Sequence, residues 1–175
     1  MESHLTVTTD ASFMAHSAGL AVVIHAFHSG PWGDSDAWRH LTHIVIAKRH
    51  TSCGACTDGE ELAFLYATRT VLHAFGHNRD VRICSIAFTT DSQFVRDASL
   101  HRDTSVDRAL RHLALFFGIS HLDITLHWQP RSDAAMQFAD AMARSARTNL
   151  QLDDENQSWY HIRNDTGFDS LFSLD

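Results

Sequence analysis

Apolar residues recur along the chain with two different periods, and these periods divide it into strands and helices. Short segments rich in β-branched and aromatic residues are typical of strands, whereas apolar positions three and four residues apart are typical of helices. The predicted strands are residues 5–9, 19–27, 41–48, 81–88 and 122–128. The predicted helices are residues 57–75, 92–99, 105–117 and 133–148. The predicted order is therefore βββ-α-β-αα-β-α.

This order of elements predicts how the strands pair. Three consecutive strands with short links favour an antiparallel meander. A helix before each of the last two strands implies parallel crossover connections in that half of the sheet. We therefore expect one α/β domain with a mixed sheet, and we expect it to cover residues 1–149.

The remaining residues, 150–175, are expected to form an acidic C-terminal extension. They include six acidic residues and one arginine, and so carry most of the net charge of −7. A negative charge is unfavourable for binding phosphates, but the segment before the extension is only weakly acidic. Three roles stay open for the extension: shielding a substrate channel, mediating self-association, or stabilising the domain.

The sequence favours a soluble, cytoplasmic protein. No apolar run reaches the roughly 18 residues that a membrane helix needs, and the first residues lack the layout of a secretory signal. The three cysteines, Cys53, Cys56 and Cys84, cannot all pair with one another, which fits a reducing compartment. Cys53 and Cys56 could join His50 in a zinc site, but such sites usually need four ligands. Ordinary cysteines are therefore the preferred interpretation.

Four acidic residues stand where their carboxylates can converge. Asp10 and Asp91 follow the first and fourth predicted strands, and both emerge at the same sheet edge if those strands are parallel neighbours. Glu61 lies in the first turn of the first helix, and Asp140 lies inside the last helix. Carboxylate oxygens suit Mg²⁺ or Mn²⁺. Two such ions can activate water and stabilise the leaving oxygen of a phosphodiester.

Four motifs around these acids are similar to those of a known family. They are Thr9-Asp10-Ala11-Ser12, Glu61-Leu62-Ala63, Thr90-Asp91-Ser92-Gln93-Phe94-Val95 and Ala139-Asp140-Ala141-Met142-Ala143. In this order, over residues 4–147, they resemble type 1 ribonuclease H. The resemblance implies a ribonuclease H-like fold, with a five-stranded mixed sheet of order 3-2-1-4-5 flanked by helices. It also implies an endonuclease that uses two Mg²⁺ ions, or Mn²⁺ in their place, to cleave the RNA strand of RNA–DNA hybrids.

Two of the metal ligands have competitors. Glu60 competes with Glu61, which we prefer because it directly precedes Leu62, as the family motif requires. Asp133 competes with Asp140, but its position favours a cap of the last helix. The expected metal ligands are therefore Asp10, Glu61, Asp91 and Asp140.

The resemblance also implies roles for residues around the acids. Arg131 lies in the loop where many relatives carry a mobile His, and because arginine rarely deprotonates we expect an electrostatic role in catalysis. Gln93 aligns with a position that contacts the hybrid near its minor groove. Ser12 follows the first Asp, where the RNA approaches, and Thr57 stands where relatives often have an Asn. Ser12, Gln93 and Thr57 are therefore the expected substrate-binding residues.

One departure from the family affects substrate affinity. The basic handle of several bacterial relatives is missing, because few bases lie between Gln93 and Asp123. We therefore expect a homo-oligomer or a protein partner to supply part of the affinity for the hybrid. Two other functions stay open: a nuclease of the same fold acting on DNA or structured RNA, and a non-catalytic hybrid-binding module.

Overall fold

The computed structural model describes residues 2–28, 39–50, 53–77, 81–148 and 158–164, with side chains for all of these except 39–48 and 158–164. The elements in chain order are β1 (Glu2–Met14), β2 (Ser17–His28), β3 (Arg39–His50), α1 (Cys56–Phe75), β4 (Arg82–Thr90), α2 (Gln93–Leu100), α3 (Ser105–Phe117), β5 (Ile124–Trp128), α4 (Ala134–Thr148) and β6 (Ser158–Asn164). A short 3-10 helix, His121–Asp123, precedes β5. Within the described ranges, no helix combines the length and the apolar character needed to cross a bilayer.

The strands form one six-stranded sheet of order β5-β4-β1-β2-β3-β6. β1, β2 and β3 are antiparallel neighbours, whereas β4 runs parallel to both β1 and β5. The predicted five-stranded mixed sheet of order 3-2-1-4-5 is therefore confirmed. β6 adds an antiparallel strand outside β3, paired from Thr42–Asn164 to Lys48–Ser158. This added strand lies within residues 150–175.

β1 is longer than the sequence pattern predicts. The prediction that this strand ends before Asp10 is wrong, because the strand continues to Met14 and contains Asp10. The extra length comes from the hairpin at Ala15 and His16, whose φ angles of 49° and 67° make a two-residue turn. Such turns usually contain Gly or Asn, which tolerate positive φ. Ala-His therefore carries no recognisable turn signal in the sequence.

α1, α2 and α3 cover one face of the sheet. Phe64 of α1 is fully buried in the same core as Leu5 of β1 and Phe88 of β4. The rings of Phe64 and Phe88 lie 5.1 Å apart in a tilted arrangement, which favours one packing geometry. Val95 of α2 and Leu110 of α3 belong to the same core. The start of α1 is thereby fixed against the strands that carry the acidic residues.

α4 covers the opposite face. Val23 of β2 packs against Ala139 of α4, whereas the neighbours of Val23 along β2 belong to the core under α1. Strand alternation therefore places α4 on the other side of the sheet. Gly19 permits a close approach, because a Cβ there would lie 1.9 Å from the carbonyl oxygen of Ala143. The helix that carries Asp140 is thus held directly on the sheet.

Candidate metal centre

The parallel pairing of β1 with β4 brings Asp10 and Asp91 together. The last paired residues are Thr8 and Thr89, so Asp10 and Asp91 each lie two residues further in the same direction. Residues two apart in a strand share a face of the sheet. Asp91 follows β4 directly, since this strand ends at Thr90. The two carboxylates therefore emerge at the same edge.

Glu60 of α1 completes a group of three acids. Asp10, Glu60 and Asp91 each offer one oxygen, and these oxygens all lie within 4.8 Å of one another. Asp10 is 0% exposed and Glu60 is 8% exposed, while Asp91 is partly exposed. We call these three residues the carboxylate cluster.

The cluster contains Glu60, whereas the family motif favoured Glu61 as the ligand. Glu60 shares a buried stripe of α1 with Ala63 and Phe64, three and four residues further on. The carboxylate of Glu61 instead accepts a hydrogen bond from the hydroxyl of Ser105 in α3. The apolar period of α1 was the sequence signal that could have identified Glu60, because the buried stripe is the face that meets the sheet.

Asp140 is not part of the converging group among the described residues. Its carboxylate is buried on α4 and accepts a hydrogen bond from Arg144, one helical turn further on. The structure therefore does not bring the expected fourth ligand into the cluster. Asp133, its competitor, acts as a helix cap: Oδ1 accepts a hydrogen bond from the backbone N–H of Ala135 at 2.9 Å.

Burial and mutual repulsion favour the protonated forms of the cluster. Neither carboxylate oxygen of Asp10 has a hydrogen-bond partner within the described structure. Burial, followed by the charge of Asp91, raises the pKa of Asp10 to about 7. Burial, followed by the charges of Asp10 and Asp91, raises the pKa of Glu60 to about 8. Three acids this close cannot all ionise at low cost without a compensating positive charge.

A divalent cation fits this set of residues. Buried polar atoms nearly always have a hydrogen-bond partner, and the two buried oxygens of Asp10 lack one in the described structure. The converging atoms are all carboxylate oxygens, which are the ligands that Mg²⁺ and Mn²⁺ prefer. A bound cation would both satisfy these oxygens and remove the repulsion between them.

The last residue of β5, Trp128, and a residue of the loop that follows it, Arg131, both contact Asp91. Nε of Arg131 donates a hydrogen bond to Oδ2 of Asp91 at 2.7 Å, and the indole Nε1 of Trp128 donates one to the main-chain oxygen of Asp91 at 2.8 Å. The bond to Asp91 raises the pKa of Arg131, so its guanidinium stays charged. Sequence reasoning selected Arg131 but missed Trp128, since a tryptophan at the end of a predicted strand is typical of strands in general.

The three expected substrate-binding residues lie near cluster residues along the chain. Ser12 is buried in β1, two residues beyond Asp10 and on the same face. Gln93 is the exposed first residue of α2, and Thr57 is exposed in the first turn of α1. Their contacts with a substrate stay predictions.

The two cysteines near the start of α1 have different environments. Cys53 is buried beside Ala11 and Ala18, and its thiol donates a hydrogen bond to the carbonyl oxygen of Ala55 at 3.1 Å. Cys56 is exposed. In the part of the chain that the structure describes, the group of converging ligand atoms contains neither thiol.

Comparison with known proteins identifies the fold. No family profile matches the sequence, and no curated protein matches it. RNase H1 from the halophilic archaeon Halobacterium salinarum NRC-1 is similar with a TM-score of 0.52 at 17% identity, over 82% of this chain and 96% of that chain. LC11-RNase H1 in complex with an RNA/DNA hybrid gives a TM-score of 0.54 at 12% identity, over 82% of this chain and 96% of that chain. The N-terminal RNase H domain of rv2228c from Mycobacterium tuberculosis was solved as a fusion with maltose-binding protein. It gives a TM-score of 0.55 at 14% identity, over 82% of this chain and 93% of that chain.

These similarities define the class of fold. The chain has the ribonuclease H-like fold that the sequence motifs predicted. A fold supports many activities, so the function has to be argued from the site itself.

Proposed function

We propose that this protein is a metal-dependent endonuclease that hydrolyses the RNA strand of RNA–DNA hybrids. The observation that carries the proposal is the convergence of Asp10, Glu60 and Asp91 within 4.8 Å. Buried like charges cost stability unless a positive group compensates them, and strongly raised pKa values are common at catalytic sites. A non-catalytic hybrid-binding module would have no need for such a cluster.

The cluster residues would hold Mg²⁺ or Mn²⁺, and we propose two ions per site. When bound, such ions supply the Lewis acidity that activates water and stabilises the leaving oxygen. Arg131 would attract the phosphodiester and hold the carboxylate of Asp91, with which it forms a 2.7 Å hydrogen bond. Asp140 stays a proposed further ligand, because its buried carboxylate lies on the helix that packs against β1 and β2.

The proposed substrate is supported by the sequence motifs and by a protein of the same fold. LC11-RNase H1 was solved in complex with an RNA/DNA hybrid. Ser12, Gln93 and Thr57 are the proposed contacts of this chain with the hybrid. The net charge of −7 gives little electrostatic affinity for phosphates, so we propose that a homo-oligomer or a protein partner supplies the rest. A cytoplasmic location is part of the same proposal.

Cleavage of end-labelled substrates tests this function. An RNA–DNA hybrid, single-stranded RNA, structured RNA and duplex DNA of related sequence are incubated with Mg²⁺, with Mn²⁺ and with EDTA. We expect cleavage of the RNA strand of the hybrid alone, and no cleavage in EDTA. Asp10→Asn or Asp91→Asn should lower the rate at least about a hundredfold, because each removes a metal ligand.

Asp123→Asn is the matched control for these variants. Asp123 is an exposed carboxylate before β5, at the end of this strand away from Asp91, and its variant should cleave at the wild-type rate. Full activity in Asp10→Asn and Asp91→Asn would contradict the proposed site. Cleavage of DNA or structured RNA in place of the hybrid would assign the second nuclease function, and hybrid binding without cleavage would assign the non-catalytic one.

A further inference from the structure

We infer that Trp128 is a positioning residue that acts through Asp91, a role that rests on the proposed function. The indole Nε1 of Trp128 lies 2.8 Å from the main-chain oxygen of Asp91, 37 residues earlier in the sequence. This hydrogen bond fixes the peptide group of one of the three cluster residues. Trp128 itself is not a candidate metal ligand, because an indole offers only an N–H donor.

The sheet explains why Asp91 needs this contact. Thr90 and Trp128 are the last paired residues of β4 and β5, and the backbone N–H of Gln129 donates a hydrogen bond to the carbonyl oxygen of Thr90 at 2.9 Å. Asp91 is therefore the first residue beyond the paired strands. The indole N–H takes the place of the next backbone donor and extends the hydrogen-bonded edge by one residue.

Two side chains then contact Asp91 at different groups. Trp128 binds its carbonyl oxygen, and Arg131 binds its carboxylate. The guanidinium of Arg131 is on a side chain that is 62% exposed, and in the Asp91–Ser92 peptide group the N–H of Ser92 donates a hydrogen bond to Oγ1 of Thr90 at 3.1 Å. The indole of Trp128 is the side chain that holds the carbonyl oxygen of this peptide group. A turned peptide would move the carboxylate of Asp91 away from Asp10, and the cluster would lose its geometry. Groups that orient a metal ligand typically change metal affinity or activity by about 10- to 100-fold when they are removed.

The exposure of Trp128 argues against a role in packing alone. The residue is 39% exposed, whereas an aromatic side chain that only fills a core is normally buried. The indole N–H is hydrogen-bonded to the backbone of a cluster residue, while part of the side chain remains exposed.

Two replacements of Trp128 distinguish the contribution of the indole N–H from that of the aromatic ring. Trp128→Phe keeps an aromatic ring and removes the donor. Site-specific incorporation of 3-benzothienylalanine keeps the shape of the indole and puts sulfur in place of N–H. Mn²⁺ binding is measured by electron paramagnetic resonance at a temperature well below unfolding, and hybrid cleavage is measured on the same preparations.

We expect both variants to bind Mn²⁺ about tenfold more weakly and to show a kcat about tenfold lower, with KM for the hybrid within about twofold of wild type. A purely structural role would lower the melting temperature and leave Mn²⁺ affinity unchanged. Phe116→Leu is the control: this ring is 50% exposed near the end of α3 and packs against Gly76 and Phe117. Its Mn²⁺ affinity should match that of the wild type.

Wild-type Mn²⁺ affinity in the benzothienyl variant would overturn the inference, because the N–H would then be dispensable. If the wild type binds Mn²⁺ but cleaves no hybrid, the proposed function fails, and the Mn²⁺ measurements still decide the role of Trp128. If the wild type binds no Mn²⁺, the metal site and the positioning role are both wrong.

Discussion

Glu60 and Glu61 are adjacent in α1 and have different partners: Glu60 meets Asp10 and Asp91, whereas Glu61 accepts a hydrogen bond from Ser105. Successive residues of a helix point about 100° apart around its axis, so only one of two neighbouring glutamates can face the sheet edge. The two residues have the same chemistry and nearly the same position. They therefore form an internal control for each other.

Glu60→Gln is expected to abolish the proposed metal function, and Glu61→Gln is expected to preserve it. Loss of a charged oxygen ligand should weaken Mn²⁺ binding at least about tenfold and slow hybrid cleavage about a hundredfold. Glu61→Gln should stay within about threefold of wild type in both measurements, made by calorimetry and by the hybrid assay. If Glu61→Gln lowers Mn²⁺ affinity and cleavage rate more than Glu60→Gln does, Glu61 is the metal ligand.

Arg131→Ala is expected to slow cleavage without weakening metal binding. The variant removes a positive charge beside Asp91, and so removes repulsion toward a bound divalent cation. Mn²⁺ affinity should therefore be equal or higher, while kcat falls about tenfold because the phosphodiester loses a fixed positive group. Arg131→Lys should be intermediate, because it keeps the charge and loses the planar donor geometry.

Arg108→Ala, at an exposed arginine of α3, is the control for Arg131→Ala and should have wild-type kinetics. Because the side chain of Arg131 is 62% exposed, we expect its loss to cost less than about 1 kcal/mol of stability. Mn²⁺ binding weakened tenfold in Arg131→Ala would show that Arg131 serves mainly to orient Asp91.

The metal-free protein is expected to lose stability as pH rises. The folded-state pKa values of Asp10 and Glu60, about 7 and about 8, lie above their ordinary values of 3.8 and 4.5. Between about pH 4 and pH 8 the folded state therefore holds more protons than the unfolded state. By linkage, the stabilising contribution of these protons is complete below the ordinary pKa values and is lost as pH rises through the raised ones.

Melting temperatures in EDTA from pH 5 to pH 9 measure this effect. The wild type should become less stable across the range relative to a variant with both Asp10→Asn and Glu60→Gln, and excess Mg²⁺ should restore the wild type at high pH. Parallel profiles for the wild type and the double variant would mean that these two acids do not titrate as the structure indicates.

The convergence of Asp10 and Asp91 is predictable from the sequence, because it depends on strand order alone. A helix between the third and fourth strands implies that β4 runs parallel to a neighbour, and this pairing brings Asp10 and Asp91 to one edge. The choice between Glu60 and Glu61 depends on the rotation of α1 about its axis, which a motif of three residues does not specify. The contact of Trp128 with Asp91 joins the last residue of β5 to the first residue after β4, and it depends on the direction of the indole side chain, which no local pattern encodes.

The outer strand of the sheet, β6, is the largest part of the fold that the hydrophobic pattern of the sequence did not predict. β6 lies in a polar, acidic segment, and its pairing with β3 depends on backbone hydrogen bonds that most sequences can make. The extent of β1 was missed for a similar reason, because the turn at Ala15 and His16 is fixed by the pairing of its two strands.

Removal of β6 is expected to change the oligomeric state. Truncation after Thr148 leaves β3 without its outer partner, and an unpaired strand edge favours association with another chain. We expect this variant to melt at a lower temperature and to self-associate at micromolar concentration, as measured by light scattering after size-exclusion chromatography. Truncation after Asn164 keeps β6 and removes only residues 165–175, so its melting temperature and oligomeric state should match those of the full chain.

The same pair of truncations distinguishes the effect of exposing the edge of β3 from the effect of removing negative charges. Residues 165–175 contain three of the six acids of the C-terminal segment. If these charges shield the substrate site, truncation after Asn164 should already raise hybrid affinity, most strongly at low salt. If the segment acts through β6, only truncation after Thr148 should change the protein. Unchanged stability, oligomeric state and hybrid affinity in both truncations would show that the pairing of β6 with β3 contributes little to the fold or the function.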